Sequence, residues 1–572
     1  MSNSASFDVV ILGGGSAGCV LASRLSEDPG TRVLLVEAGP DVKPGEAPAA
    51  IASPYPGRAY FNKDWTWQGL VAAFGADRSN SGGPTVRPYE QGRLIGGSSS
   101  INGLGANRGA PSDYEEWVAL GAEGWGWEEV FPYFKKLERD LDYGNDGEWH
   151  NDDGPLPVQR QKRSEQAGFV RKVEAEFVSR GYTSREDQNG KWEDGVFPAA
   201  TNLDENGKRA SAGAAYLTLT VRARPNLTIW SNAPVEKITF DGRRATGALV
   251  RRAGVSMPVS AELVIVSTGA LHSPALLQRS GVGPGGLLKR VGVEVVAARD
   301  GVGRNLQEHP SVGMSAIIPQ GDRLEGEDRY HLQALLRWSS GLEGAPAGDM
   351  HLALNARSGW HAVGSRIGTL FQWINKSYSH GFVEIASPDP TQEPAIDFRL
   401  LSDPRDLTRL ADSFRLSAAA LLAMHARGEC GEVFPTTYSA EVKKWLKPTM
   451  TNGLLMATVG PLMDALGPVR SQVLAFAQKG TAPLKDLLAD ESVLHAHLLR
   501  HVGGVWHACG TARFGALDDP MAVCDSMGRV IGVEGLMVCD GSVMPSVPCA
   551  NLNVPIMMIA EKTADAIKAS RR

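Results

Sequence analysis

The chain has 572 residues, a formal net charge of −6 and 21% charged residues, too long for one hydrophobic core, so two domains with room to bury a large cofactor are expected. Its charges are mixed in sign, with no basic block or aromatic-basic interleaving to attract a phosphate backbone, which argues against a nucleic-acid partner. Cys19, Cys430, Cys509, Cys524, Cys539 and Cys549 form no CxxC pair and read as free thiols of the cytoplasm. The N-terminal MSNSASF has no basic n-region, and the apolar stretch 454–473 is broken by Pro461, Asp464, Gly467, Pro468 and Arg470. Neither a secretory signal nor a membrane span is expected.

The apolar run 7–12 leads into Gly13, Gly15 and Gly18 in GxGxxG spacing, followed by a helical pattern and a second apolar run, 33–36, that ends in Glu37. Strand, glycine turn, helix, strand and acid make a βαβ dinucleotide unit. The glycines, with Ser16 and Ala17, let backbone approach a pyrophosphate at the helix N-terminus, and Glu37 accepts the ribose hydroxyls. An acid at position 37 favours FAD or NAD over NADP. Residues 38–62 are rich in Gly and Pro and read as irregular chain around the cofactor, and Trp65 and Trp67 as strand or core. The stretch 89–109, YEQGRLIGGSSSINGLGANRG, reads as a tight glycine loop offering N–H groups to an anion or a ring edge, with Arg93, Gly97, Ser98, Asn102 and Gly103 as its candidate contacts; as a bare pattern it reads equally as a flexible loop.

Helices are predicted over 113–120 and 127–137, and a polar surface excursion over 150–205. Strands then follow from 227 to 267, leading Gly269 under the cofactor, with Ser273 and Pro274 opening a helix. GVGRNLQEH, 301–309, is a further glycine turn. From 311 to 430 alternation predicts a second sheet, with a helix over 405–425. Phe371 and Trp373 share a strand face that suits either a ring-shaped substrate or the core. The proline-broken, Leu- and Met-rich segment 438–483 suits a lid, an oligomer contact or padding. In the last hundred residues GGVWHACGTARFG holds His507, a strand ends at Asp540 and Gly541, and a helix follows Asn551, Asn553 and Pro555, where the asparagines suit either caps or cofactor contacts.

GRLIGGSSSIN at 92–102 and GALHSPALLQRSGVG at 269–283, with the N-terminal fingerprint, GVGRNLQEH and the C-terminal block, resemble the glucose-methanol-choline oxidoreductases over essentially the whole chain. Within the family the resemblance is nearest to the bacterial 5-(hydroxymethyl)furfural oxidase group. It implies an α/β fold with a Rossmann-like FAD-binding domain and a second, substrate-binding domain on an antiparallel or mixed sheet. Residues 1–150, 205–310 and 495–572 are assigned to the first, and 151–204 and 311–494 to the second. By the same resemblance Gly13, Gly15, Gly18 and Glu37 bind the ADP moiety. Arg93, Gly97, Ser98 and Asn102 line the pyrophosphate and flavin, and Val235 meets the adenine. His507 is the catalytic histidine, Asn551 takes the second catalytic position, and Asn553 and Pro555 face the flavin. Ile101 stands where some relatives attach FAD through histidine, implying a non-covalent flavin. Segment 438–483 is longer than in the furfural oxidases.

The implied activity is oxidation of primary alcohols, aromatic or heteroaromatic, to aldehydes and onward to acids through aldehyde hydrates, with O2 reduced to H2O2. A dehydrogenase using a quinone or another carrier is the alternative, and a non-catalytic flavin-binding protein a third reading. A neutral His507 takes the hydroxyl proton and Asn551 donates to the developing alkoxide. Phe371, Trp373, Val505 and Trp506 are the expected substrate wall. The sequence shows no carboxylate beside the matched positions, which favours rings over quaternary amines. No metal is expected, and the chain is expected to be a monomer or homodimer.

Overall fold

The computed structural model describes residues 5–75, 86–326, 330–436 and 440–571. Its larger sheet runs in spatial order Val235–Asp241, Arg244–Arg252, Val255–Val266, Ala5–Leu12, Val33–Val36 and Leu227–Trp230, with Leu536–Val538 joined to the end of Val255–Val266. That long strand has three partners. It runs parallel to Ala5–Leu12 from Val259 to Val266, antiparallel to Arg244–Arg252 over its first half, and parallel to Leu536–Val538 over its last three residues.

The central strands are continuous apolar runs rather than alternating ones, because a parallel sheet is covered on both faces; Val9–Leu12 and Val33–Val36 are buried throughout. Helix Ser16–Leu25 packs against the C-terminal helix Asn553–Arg571, where Arg24 reaches the fully buried carboxylate of Glu561 at 2.8 Å and the Tyr216 hydroxyl donates to the same group. Gly18 is required by contact: a Cβ there would lie 1.9 Å from the carbonyl oxygen of Gly13.

The second sheet is antiparallel, in the order Val433–Pro435, Ser311–Ile317, Ile367–Ile374, Met350–Asn355, Leu332–Trp338 and Gly195–Pro198. Helices Pro404–Ala426 and Gly168–Ser179 pack against it through Leu410, Phe414, Leu421, Phe169 and Phe177. Side chains alternate across a strand, so Leu370 joins this core while Thr369, Phe371 and Trp373 turn toward a cavity.

The surface excursion expected over 150–205 does not form. Leu156–Arg160 pairs with Glu138–Asp140 and Ala200–Thr201, and Gly168–Ser179 buries Phe169, Val170, Val173 and Phe177. Those four positions make one narrow helical stripe among Arg, Lys and Glu, which average polarity hides. Within 151–204, the block assigned whole to the second domain, the chain crosses between cores: Leu156 and Val158 pack with the larger sheet, Phe169 to Phe177 with the second.

Segment 438–483, of which 438 and 439 lie outside the described residues, forms helices Ala440–Leu446, Met450–Ala465 and Gly467–Ala477. It is pinned by Met456 and Met463 against Ile317 and Val363, and by Asp464 between Arg323 and Arg366. All six cysteines are free and buried. None of the described helices is long and apolar enough to cross a membrane.

Candidate active site

A cavity of about 540 Å³ lies between the two sheets. Its walls bring together Gly13, Gly15, Ser16, Ala17, Glu37, Gly97, Ser98, Ile101, Asn102, Gly103, Val235 and Gly269 with Phe371, Trp373, Val505, Trp506, His507, Asp540, Gly541, Asn551 and Asn553. Three sequence candidates do not line it. Gly18 lies beneath the glycine turn, the Arg93 guanidinium sits over the Trp67 ring at 5.2 Å, and Pro555 is buried in the first turn of the C-terminal helix.

The glycine-turn end suits a nucleotide. Helix Ser16–Leu25 starts from Gly15 with no side-chain cap, leaving its first-turn amides for an anion. Glu37 accepts the amides of Gly14 at 2.8 Å and Gly39 at 2.7 Å, one on each carboxyl oxygen, and burial pushes its pKa up to about 7. Its remaining lone pairs are what two hydroxyls would use. A Cβ added at Gly103 or Gly269 would meet nothing within 4 Å, so both leave room for a group in the cavity. Asp540 joins two walls, accepting the Gly269 amide at 2.8 Å and the Ser542 amide at 2.8 Å.

Arg209 was not legible in sequence. Fully buried, its pKa pushed down to about 10 by desolvation, it holds the carbonyl and side-chain oxygens of Asn102 at 2.7 and 2.8 Å. It thereby shapes the serine-rich loop from behind.

At the other end the chain turns tightly into His507. Trp506 takes φ 61°, and a Cβ at Gly504 would lie 2.7 Å from Cγ of Glu308, so glycine is needed there. Glu308 clamps this turn, accepting the amides of Val505 at 3.2 Å, His507 at 2.8 Å and His309 at 2.8 Å, and the Tyr89 hydroxyl at 2.5 Å. Burial raises its pKa to about 7. The expectation that no carboxylate lies beside the matched positions therefore fails, but Glu308 is turned onto backbone amides and does not line the cavity. Position 308 is remote in sequence, and only folding brings it to 507.

The protons of the histidine pair can be assigned from their partners. The Pro548 carbonyl, 3.1 Å from His309 Nε2, only accepts, so that nitrogen carries hydrogen. With His309 neutral, its Nδ1 is a lone pair, and His507 Nδ1, 2.8 Å away, donates to it. His507 Nε2 is then unprotonated and accepts from Asn551 Nδ2 at 3.1 Å. Burial, followed by the neighbouring imidazole, holds His507 well below the usual histidine range, and burial lowers His309 to about 3. The result is a neutral ring whose lone pair sits on the Asn551 side. His309 belongs to the GVGRNLQEH motif, but its partnership with His507 spans 198 residues.

The expected substrate wall divides. Phe371 is half-buried on the cavity face. Trp373, 2% exposed, is stacked on His351 with ring centroids 4.0 Å apart, and its indole N–H donates to Asn375, so it offers the cavity an already packed ring. Trp506 is 45% exposed and its indole donates to Glu90 at 3.1 Å, at the rim. Leu446, from the 438–483 segment, also lines the cavity.

Residues 7–311 match the N-terminal model of the GMC oxidoreductase family, and residues 377–560 its C-terminal model. The chain is a GMC oxidoreductase. As a member of this family of flavoproteins it is an FAD-dependent oxidoreductase, and the uncapped helix, Glu37 and the open glycines fit that cofactor. It is 41% identical over 570 residues to 5-(hydroxymethyl)furfural oxidase of Methylovorus sp. (strain MP688), covering 98% of both chains. It is 30% identical to oxygen-dependent choline dehydrogenase 1 of Chromohalobacter salexigens, covering 99% of this chain and 96% of that one. The crystal structure of pyridoxine 4-oxidase from Mesorbium loti superposes with a TM-score of 0.78 at 27% identity, covering 98% of this GMC chain and 99% of the other.

Proposed function

We propose that this GMC oxidoreductase oxidises primary alcohols on aromatic or heteroaromatic rings to aldehydes, with O2 as electron acceptor and H2O2 as product, and carries hydrated aldehydes on to acids. The observation that carries the reading is His507 Nε2 lying 3.1 Å from the Asn551 amide nitrogen, in a cavity that Phe371 and Trp373 also line. The alcohol hydroxyl gives its proton to His507 Nε2, and Asn551 Nδ2–H steadies the charge that develops on oxygen. Phe371 packs against the ring. FAD would be held at the glycine turn and Glu37 and would supply the hydride acceptor for the alcohol carbon. Ile101 on the cavity wall offers no nucleophile, which supports a non-covalent flavin. The similarity to 5-(hydroxymethyl)furfural oxidase and to pyridoxine 4-oxidase, both named for ring-borne substrates, supports the same class.

The test is anaerobic mixing of the yellow protein with benzyl-type alcohols, hydroxymethylfurfural, short aliphatic alcohols, choline and hexoses. Ring alcohols should bleach the flavin fastest, and readmitted air should restore the colour with release of peroxide. Slow recovery in air, with rapid recovery on adding a quinone, would assign a dehydrogenase instead. A kcat/KM for choline or a hexose at least tenfold above every ring alcohol, about 1.4 kcal/mol of preference the other way, would end the aromatic reading. Acid should release FAD into the supernatant; flavin retained on the precipitate would mean a covalent bond.

A further inference from the structure

Asn551 can face His507 in two ways. With Nδ2 toward Nε2 it donates and leaves the base its lone pair; turned over, it presents an oxygen, which pairs only with a protonated Nε2. We propose that Gln188 and Asn107 are positioning residues that fix this choice, and with it the tautomer of His507, through a one-way chain of hydrogen bonds. The inference rests on His507 being the base.

The chain starts at a group of fixed polarity. The Ala200 amide donates to Gln188 Oε1 at 2.9 Å, so the nitrogen of that side chain faces away, toward Asn107 Oδ1, to which it donates. Asn107 Nδ2 is thereby turned to Asn551 Oδ1, at 2.5 Å, and Asn551 Nδ2 to His507 Nε2, at 3.1 Å. His507 and His309 continue in the same sense to the Pro548 carbonyl. A backbone donor and a backbone acceptor thus close the two ends, and every link between them donates in one direction. Reversing any amide would set donor against donor or oxygen against oxygen at a buried site, at the cost of an unmade hydrogen bond.

Gln188 and Asn107 are 3% and 7% exposed and neither lines the cavity, so they act only through Asn551. The backbone around Gln188 is held independently of its side chain. Asn189 Nδ2 donates to the Ala106 carbonyl at 2.7 Å, Arg108 to the Asn189 carbonyl at 3.1 Å, and Arg337 to the Gln188 carbonyl at 3.2 Å. The charged groups facing position 188 are Arg337, Arg108 and the adjacent Asp187, itself engaged by Arg160 and His150.

Gln188→Glu tests the chain. The introduced carboxylate keeps the acceptor for Ala200 but, when ionised, cannot donate to Asn107. Asn107 and Asn551 then turn over in sequence, and the ring proton of His507 moves from Nδ1 to Nε2, giving up the hydrogen bond to His309. Anaerobic flavin reduction at pH 8 should fall by roughly 10²-fold or more, the scale of a misplaced general-base proton, with FAD content near that of the parent and a lower thermal stability at pH 8, because a carboxylate is buried there. As pH falls and the carboxyl protonates, its O–H donates to Asn107 and the rate should rise toward the parent. Gln188→Met, with neither donor nor acceptor, should lose less at pH 8 and show no such recovery.

A second readout needs no turnover. In protein labelled with 15N at histidine, the His507 signals, identified by their loss in His507→Ala, should change from an unprotonated to a protonated Nε2 in Gln188→Glu at pH 8. Parent-like reduction and an unchanged tautomer in that variant would overturn the proposal, as would equal, pH-independent losses in the Glu and Met variants. If His507→Ala itself reduced flavin at the parent rate, the base assignment would fall, while the tautomer measurement would still judge the chain.

Discussion

His507 meets a second imidazole and a carboxamide; His150, also buried, meets three carboxylates. His150 Nδ1 lies 2.9 Å from Glu138 and 3.1 Å from Asp140, and Nε2 lies 2.9 Å from Asp187. Arg160 reaches Asp140 and Asp187, and Arg108 reaches Glu138. Burial opposes a charge at both histidines. At His150 hydrogen bonds to Asp140, Asp187 and Glu138 overcome it and push the pKa up to about 10, whereas at His507 nothing opposes burial and the ring stays neutral. One side chain type is thus made a cation in one place and a neutral ring in the other. Both rings are buried, and the chemistry of the neighbours sets the sign of the shift.

The contrast is tested most strongly by removing each ring in turn. His507→Ala should retain FAD and fold normally but lower anaerobic flavin reduction by on the order of 10²–10⁴, measured by stopped flow at saturating alcohol. Parent-like reduction would show that the proton leaves by another route. His150→Ala should do the reverse. It leaves Asp140, Asp187 and Glu138 short of a buried partner, and the chain should lose about 3–5 kcal/mol, read as a lower urea midpoint at constant m-value. Flavin reduction per bound FAD should change far less than in His507→Ala, and a larger kinetic than thermodynamic effect would erase the distinction.

The smallest effect lies in pH. The folded pKa of His150 is raised to about 10 from an unfolded value of about 6.5, so its contribution to stability is complete below the unfolded value and fades as pH rises toward 10. His309 has the opposite sign. With its folded pKa near 3, stability is lost as pH falls below about 6.5, because only the unfolded ring takes up the proton. Calorimetry should therefore find an alkaline decline in Tm between pH 7 and 10 that is shallower in His150→Ala, and an acid decline that is not. An unchanged alkaline slope would mean that His150 is not the charged hub.

What the sequence disclosed and what it withheld follow the same division. The βαβ unit, the glycine loops and the segment around His507 were legible because each is written in adjacent residues: Gly13, Gly15 and Glu37 fall within one turn and the next strand. Gln188, Asn107, Arg209, Glu308 and His150 were not, since each takes its meaning from a partner in another segment. Glu308, for instance, is defined by the amides at 505 and 507. A buried polar side chain announces nothing by periodicity, and even His309, inside a motif that stood out, looked like part of a turn. The helix at Gly168–Ser179 was missed for the simpler reason that a four-residue apolar stripe was diluted by charge.

The long strand Val255–Val266 bears on how the molecule is made. Ala5–Leu12 emerges first, yet one of its two edges waits for residues 259–266, and that strand in turn waits for 536–538. At about 5–20 residues per second of synthesis, the first strand spends roughly 10–50 s with one edge open along its apolar run Val9–Leu12, a condition that invites pairing with other chains. The cavity closes later still, because Asn551 and Asn553 come almost last. Flavin can therefore be captured in full only by a nearly finished polypeptide, and yield of the loaded protein should respond to chaperone supply during translation rather than to flavin supplied while the chain is still short.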